Sequence, residues 1–515
     1  MSTPDDQNEY PAHGNRRGFS SRTPTNHNPD HVVYRRGFVT RHQVSGWRFI
    51  MRRIASGVAL HDTRMLVDPL RTQSRSVLVG ALVLITGLAG CFVFSLIRPA
   101  GEPGDDAILA DRTTSALYVR LGDKLHPVLN LTSARLIAGR PDNPTMVKSD
   151  ELDQFPRGNL IGIPGAPERM VQNTTRDAAW TVCDGVSGPA TGVTMIAGPL
   201  TDGGERAAAL PGDKAILVDN ASGPNAGTWL LWDGRRSRID LNDRAVTSAL
   251  GFGVATPSIR PIAPGLFNAV PEAPALSAPV IPGAGEPPRF ELPVAAPVGA
   301  VVVSFDANNT LRHYVVLGDG LQPVSPVVAA ILRNTNSFGV EQPPRLAADE
   351  IARLPVANVI DDSAYPSQQV TLVDAASAPL TCAQWTRPAD ATSGTLDLRS
   401  GVTLPVSEQL RSVPLVGAGS GSTADRVVIT PGNGYLVESG GAYFWLADTG
   451  VRYGLDTDSG EDTFAALGLN PPPLPIPWSM LSQFAPGPTL SSADALLAHD
   501  GLAADPRPAV VRESP

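Results

Sequence analysis

The sequence predicts an α+β protein that crosses a membrane once and carries an elongated, internally duplicated body, pseudo-two-fold symmetric, on the far side. Three observations predict it. Ser76–Ile97 (SVLVGALVLITGLAGCFVFSLI) runs for 22 residues without a charge. At about 1.5 Å per residue that is roughly 33 Å of helix, enough for a hydrocarbon core of about 30 Å. Charge is divided unequally about this stretch: residues 1–75 hold twelve arginines, no lysine and six acids, whereas the whole chain is −9. Finally, Leu121-Gly122-Asp123-Lys124-Leu125-His126-Pro127-Val128 returns as Leu317-Gly318-Asp319-Gly320-Leu321-Gln322-Pro323-Val324.

Residues 1–37 are rich in Asn, Asp, Pro and Arg without an apolar period and read as a flexible cytoplasmic tail. Residues 38–75 form a basic juxtamembrane segment containing an amphipathic helix. Thr40-Arg41-His42-Gln43 fits a capping box, and Val44, Trp47, Met51, Ile54 and Val58 then recur at helical spacing. Arg48, Arg52 and Arg53 lie off that stripe, and Arg64, Arg71 and Arg75 lead up to the span. Such a helix needs a surface on which to bury its apolar face. The membrane interface and a protein partner both qualify; a partner is preferred. Trp47 and these six arginines are therefore the candidate partner or membrane contacts. Asp68-Pro69 matches an N-cap and first helical position, so the spanning helix starts several turns before the bilayer and stops at Pro99. With Arg98 and Arg112 the only early arginines beyond the span 76–97, the N-terminus is expected in the cytoplasm and the body outside. Anionic head groups explain the basic leader more simply than nucleic acid does.

The body is rich in turn formers, the chain having 49 Gly and 49 Pro with only 6% aromatics. That composition suits many short elements rather than one deep core. Trp180-Thr181-Val182-Cys183 has a counterpart in Leu380-Thr381-Cys382, and Trp229–Trp232 with Ala249–Phe252 in Tyr443–Leu446 with Ala466–Leu469. Matches in the same order argue for a duplicated half of about 200 residues. Each half reads as repeat, central segment, repeat: repeat 1 over 108–170, a first central segment over 171–215 and repeat 2 over 216–275. A Pro/Ala linker follows over 276–298, then repeat 3 over 299–366, a second central segment over 367–430, repeat 4 over 431–490 and a Pro/Ala-rich tail over 491–515. A repeat is expected to hold a β-hairpin or short sheet and a short helix ending at proline, as at Ser149–Phe155, Ala347–Leu354 and Trp478–Phe484.

Cys183 and Cys382 are the only cysteines beyond the span, in a setting that is oxidising in most cell envelopes, so a disulfide is expected. The alternative is two unpaired buried thiols. A bond between these equivalent segments would straddle the pseudo-two-fold axis.

No chemistry is legible. The body holds three lysines, Lys124, Lys148 and Lys214, none within G-x-x-x-x-G-K-[ST], and Gly417–Ser422 lacks the lysine of a phosphate cradle. His126, His313 and His499 have no metal-ligand spacing, and the acids at 456, 458, 461 and 462 fit a solvated loop better than a calcium site. No G-x-S-x-G elbow occurs. No catalytic residue, cofactor or metal is assigned.

Two segments carry a resemblance: YRRGFVTRHQVSGWRF at 34–49 and HDTRMLVDPLRTQSR at 61–75. They resemble the EccB family of mycobacterial type VII (ESX) secretion systems, and the likeness extends to the single span, duplicated body and two exterior cysteines. The N-terminal wording is most similar to the paralogue of the third ESX system, associated with siderophore-mediated iron acquisition. The resemblance implies a structural core subunit of an inner-membrane translocon for protein export, assembled with the EccC motor ATPase, EccD and EccE. It implies a periplasmic domain of four β/α repeat modules around a central β domain, self-association through that domain, and contact with membrane lipids. Repeats similar to the cell-wall-binding subunit of a phage lysin add peptidoglycan anchoring as an alternative. The family also bears an ATPase label, so ATP enters as a cofactor by label only.

Overall fold

The computed structural model describes residues 40–61, 69–97, 101–221, 223–253, 257–457 and 462–502. It divides at Pro99 into two compact units. The first holds two helices, α1 (Arg41–Leu60) and α2 (Pro69–Ile97). The capping box expected at Thr40 is formed: Gln43 N–H donates to Thr40 Oγ1 (3.4 Å) and Thr40 N–H to Gln43 Oε1 (3.0 Å). α2 starts at Pro69, as expected; the Asp68 N-cap and residues 1–37 fall outside the described residues.

The second unit begins with an antiparallel meander, β1 (Ile108–Asp111), β2 (Leu117–Leu121) and β3 (Lys124–Pro127). Helix α3 (Leu131–Ala138) follows, its N-cap Asn130 accepting from Ser133 N–H and its C-cap Gly139 left-handed. β4 (Thr145–Val147) then adds parallel to β1, α4 (Ser149–Leu152) follows, and residues 156–161, ending in β5 (Leu160–Ile161), run alongside β3. The helix ends a turn before the expected Phe155: after the Asp153 N–H bond to Ser149 O the chain tightens, Phe155 N–H donating to Leu152 O, and Pro156 takes up the extended path beside β3.

Next come β6 (Ala178–Gly185), β7 (Gly192–Ala197) and β8 (Ala208–Ala209). A second meander, β9 (Lys214–Asn220), β10 (Gly227–Trp232) and β11 (Arg235–Ile239), is followed by α5 (Arg244–Ala249), β12 (Arg260–Pro261), α6 (Pro264–Ala269) and β13 (Glu272–Leu276). β12 pairs parallel with β9, and β13 parallel with β11. Asp233 and Gly234, both at positive φ (44° and 70°), make the tight β10–β11 turn. Residues 277–300 form no regular element, yet Ile281, Ala296 and Val298 are buried in the cores around the next meander.

That meander is β14 (Val301–Phe305), β15 (Leu311–Val316) and β16 (Leu321–Val324), with α7 (Pro326–Thr335) and α8 (Ala348–Arg353) after it. Ser325 caps α7 and Pro326 opens it. The chain continues through β17 (Thr371–Leu372), β18 (Leu380–Arg387), β19 (Thr395–Gly401), β20 (Val413–Pro414) and β21 (Arg426–Val428). A last meander, β22 (Tyr435–Ser439), β23 (Ala442–Leu446) and β24 (Val451–Leu455), carries α9 (Thr463–Leu467), β25 (Leu474–Pro475), α10 (Trp478–Leu481) and β26 (Ala485–Pro486). Finally, α11 (Ser492–Ala495) and β27 (Ala498–His499) bring the chain back, β27 pairing with β5.

A seven-stranded central sheet, ordered β20-β21-β7-β6-β18-β19-β8, joins segments nearly 200 residues apart. One face carries the main core: Trp180 and Met195 of this sheet meet Trp229 and Phe267 of the second meander unit and Tyr435 and Phe484 of the fourth. The Trp180 indole donates to Pro475 O (2.8 Å) and stands edge-on to Tyr435. A separate core joins the first and fourth units through Leu136, Ile163, Trp445 and Tyr453. Another joins the second and third through Trp232, Val246, Val327 and Ile331. The first unit therefore packs on the fourth and the third on the second, while the second and fourth lie side by side on one face of the central sheet.

Candidate interaction surfaces

α1 presents most of its apolar stripe to solvent. Trp47 is 63% exposed, Ile54 55% and Val58 74%, while Val44 and Met51 are also exposed. Phe49 and Ile50 are exposed too. Ile50 widens the expected stripe, being one turn from Ile54; Phe49 lies on the opposite side and escapes the pattern because it breaks the 3–4 spacing. Among the described side chains of α1, Ser56 alone is buried. Arg48, Arg52 and Arg53 are exposed on this helix and Arg75 on α2. Arg71 lies within α2 with its side chain outside the description, and Arg64 falls outside the described residues.

α2 contains a 20-residue apolar window, Ser74–Val93, none of it buried within the protein. Thr86 Oγ1 donates to Leu82 O (2.7 Å), satisfying its hydroxyl on the helix itself. A helix this apolar on all sides, which no described residue covers, fits a membrane span.

In the body, Cys183 and Cys382 lie directly opposite each other in the β6–β18 register and are joined by a disulfide with Cα atoms 4.0 Å apart. Both are fully buried at the middle of the central sheet. Next to them is a polar stitch that the sequence does not signal. Arg260, 4% exposed, donates from Nη1 to Ala378 O (3.0 Å) and Thr381 Oγ1 (2.9 Å) and from Nη2 to Val373 O (3.1 Å). Asp184, the residue after Cys183, accepts from Ala263 N–H (2.7 Å). Burial pushes the Asp184 carboxyl above the usual carboxylate range, while the Ala263 N–H and the Arg260 charge pull it back. Burial likewise lowers Arg260, against the attraction of Asp374 and Asp184. This arrangement clamps β12 and α6 onto the central sheet.

A cleft of about 780 Å³ opens between the β10–β11 and β18–β19 turns, lined by Asp233, Arg235, Glu272, Trp385, Asp397 and Ser479. Arg235 is already paired with Asp233 at 3.1 Å. Among the described residues no group of three His, Cys, Asp or Glu side chains could hold a metal ion. The exposed faces of α1 and α2 are apolar and basic.

The family described as "Type VII secretion system ESX-1, transport TM domain B" matches residues 36–504. The chain belongs to the EccB family. It is 66% identical to the Mycolicibacterium smegmatis protein named "ESX-3 secretion system ATPase EccB3", over 97% of this chain and 98% of the relative. Identity to the Mycobacterium tuberculosis EccB3 is 61%, over 98% and 97%. It falls to 38% for the M. tuberculosis "ESX-5 secretion system ATPase EccB5", over 92% and 96%. Of these EccB proteins the chain is thus more like the ESX-3 paralogues. A solved EccB3 dimer from the ESX-3 core complex superposes with a TM-score of 0.70 at 61% identity, covering 76% of this chain and all of that one. A chain of an intact ESX-5 inner membrane complex gives 0.72 at 37% identity, covering 93% and 99%.

Proposed function

We propose that this protein is a non-catalytic structural subunit of a type VII translocon in the inner membrane, scaffolding protein export in the system linked to siderophore-mediated iron acquisition. Its N-terminus lies in the cytoplasm and its body in the periplasm, with the arginine excess before α2 setting that orientation. The observation that carries the reading is the pair of exposed surfaces in the first unit: an apolar α2 for lipid, and an α1 whose Trp47, Ile50 and Ile54 are exposed among the described residues. EccC, EccD and EccE are the partners expected at α1 and the basic segment, and anionic lipids at Arg71 and Arg75.

In this reading the four meander units are repeat modules set around a central β domain, and the halves are related by a pseudo-two-fold axis. Each meander is followed by a helix, a strand segment parallel to the first strand, a second helix and a segment parallel to the third. In the central sheet Cys183 faces Cys382, its counterpart 199 residues on, as expected where an axis passes between β6 and β18. The relatives' printed name includes ATPase; this chain has no P-loop, and hydrolysis is no part of the function proposed.

Replacing Trp47 and Arg52 together by Ala tests the docking role. The variant is expected to reach the membrane and lose co-purification with the EccC motor; undiminished co-purification refutes it. ATP turnover by the purified full-length protein, abolished by a point substitution, refutes the non-catalytic reading.

A further inference from the structure

The first and third meander units end in the same way and differ in one respect. In the first, Leu125 N–H donates to Pro156 O (2.9 Å) and Gly158 N–H to Leu125 O (2.9 Å). In the third, Leu321 N–H donates to Pro355 O (2.8 Å) and Ala357 N–H to Leu321 O (3.0 Å). Gly158-Asn159-Leu160-Ile161 and Ala357-Asn358-Val359-Ile360 thus occupy matching places, 199 residues apart like the two cysteines. The outer edge of the first segment is covered by β27, Ala498 opposite Ile161 and His499 opposite Leu160, with the His499 Nε2 2.8 Å from Gly162 O.

The outer edge of the third unit's segment is bare. Its inner side is held by Gln322, whose Oε1 accepts from Val359 and Ile360 N–H (2.7 and 2.9 Å) and whose Nε2 donates to Ile360 O (2.6 Å). On the outer side, among the described residues, no strand pairs with 356–360, and the N–H groups of Val356 and Asn358 have no acceptor. Val356 is 80% and Val359 53% exposed, beside an open groove of about 650 Å³. Such an edge invites a further strand. The corresponding segments of the second and fourth units are blunted by Pro274 and by Pro486 and Pro488, which donate no hydrogen bond; the third has no proline over 356–360.

We infer that this edge is the docking site for the C-terminal segment Arg507-Pro508-Ala509-Val510-Val511-Arg512 of a second copy of this chain. The same tail already supplies the strand that covers the first unit. Its β-branched pair suits a strand laid against Val356 and Val359, and its flanking arginines meet Asp361 and Asp362 at the groove. A chain's own tail leaves beside the first unit. From Leu502 to Val510 it reaches about 29 Å at most. The first unit shares a core with the fourth and the third with the second, so the tail leaves from one end of this row of units and the bare edge lies at the other. The inference rests on the self-association in the proposed scaffold reading, and it names one contact that would serve it.

Two full-length chains with different affinity tags, both Cys91→Ser, test it when co-expressed in membranes: one Val359→Cys, the other Val510→Cys. Mild oxidation is expected to yield a disulfide-linked heterodimer carrying both tags. Adding Asn358→Pro to the first chain removes one backbone donor and is expected to lower the yield about fivefold. The inference is overturned if no link forms while a Leu160→Cys, His499→Cys chain cross-links internally. It is equally overturned if Asn358→Pro leaves the yield unchanged, or if a chain bearing both Val359→Cys and Val510→Cys links only to itself. A dimer by solution mass with no 359–510 link removes this contact and leaves the scaffold reading standing.

Discussion

Arg260→Met isolates what holds the second meander unit to the central sheet. Methionine keeps the length and apolar stem of the side chain, so little packing is lost. The change removes the donors to Val373 O, Ala378 O and Thr381 Oγ1 and leaves one buried and two half-buried acceptors without this partner. At about 1–3 kcal/mol for the buried group left unsatisfied and less for the two half-buried ones, which water can reach, the expected loss is about 2–4 kcal/mol. A second consequence follows at Asp184, whose carboxyl burial already raises and Arg260 partly lowers. Without the guanidinium it is raised further. A carboxyl whose folded pKa exceeds its unfolded value stabilises the fold when protonated. That contribution is full below the unfolded value and falls away as pH rises through the raised folded one. The variant should therefore lose more stability at pH 7 than at pH 5, and Asp184→Asn in the same chain should restore part of the pH 7 loss. Urea unfolding of the full-length protein in detergent, followed by tryptophan fluorescence at both pH values, measures this. A loss under about 1 kcal/mol at both pH values refutes the argument that Arg260 is a structural clamp.

Replacing Cys183 and Cys382 by Ser opens a loop spanning 199 residues. In the chain-entropy treatment that loop is worth up to about 5 kcal/mol, so the denaturation midpoint should drop markedly and become insensitive to reductant. Trp180→Ala removes a fully buried indole, its hydrogen bond to Pro475 O and its edge contact with Tyr435; about 4–5 kcal/mol should be lost, where Trp180→Phe loses less. Gly234→Ala should lift the β10–β11 turn from β19. A Cβ there would lie 2.1 Å from Leu396 O at a φ of +70°, so cross-linking between engineered cysteines at 233 and 397 should fall.

How much was legible depends on whether the signal was local. The capping box at Thr40, the start of α2 at Pro69 and the four meanders announce themselves in neighbouring residues, because caps, turns and hydrophobic periods act within a few positions. The short helices are shorter than their sequence pattern suggests: Ser149, Ala348 and Trp478 open helices that stop at Leu152, Arg353 and Leu481. Proline sets an outer limit to a helix, while the last turn is decided by the strand path that follows it. The stretch 276–298 has the composition of a spacer, yet Ile281, Ala296 and Val298 are buried in the cores around the third meander. Proline content reports backbone stiffness and says nothing about which apolar side chains find a surface. Nothing local could have singled out Arg260, whose acceptors lie more than 110 residues away.

By itself the sequence determined one apolar stretch long enough to span a membrane, with arginines crowded before it, motifs that recur along the body and two cysteines beyond the stretch. These follow from composition, order and internal likeness, which need no coordinates. Only the tertiary structure decided that β6 and β18 lie side by side with Cys183 opposite Cys382, that a buried arginine clamps the second unit beside them, and that β27 closes one sheet edge while, among the described residues, the matching edge of the third unit is bare. Strand pairing between distant segments depends on register and on what each edge leaves unpaired. Those quantities exist only once the chain has brought its far ends together.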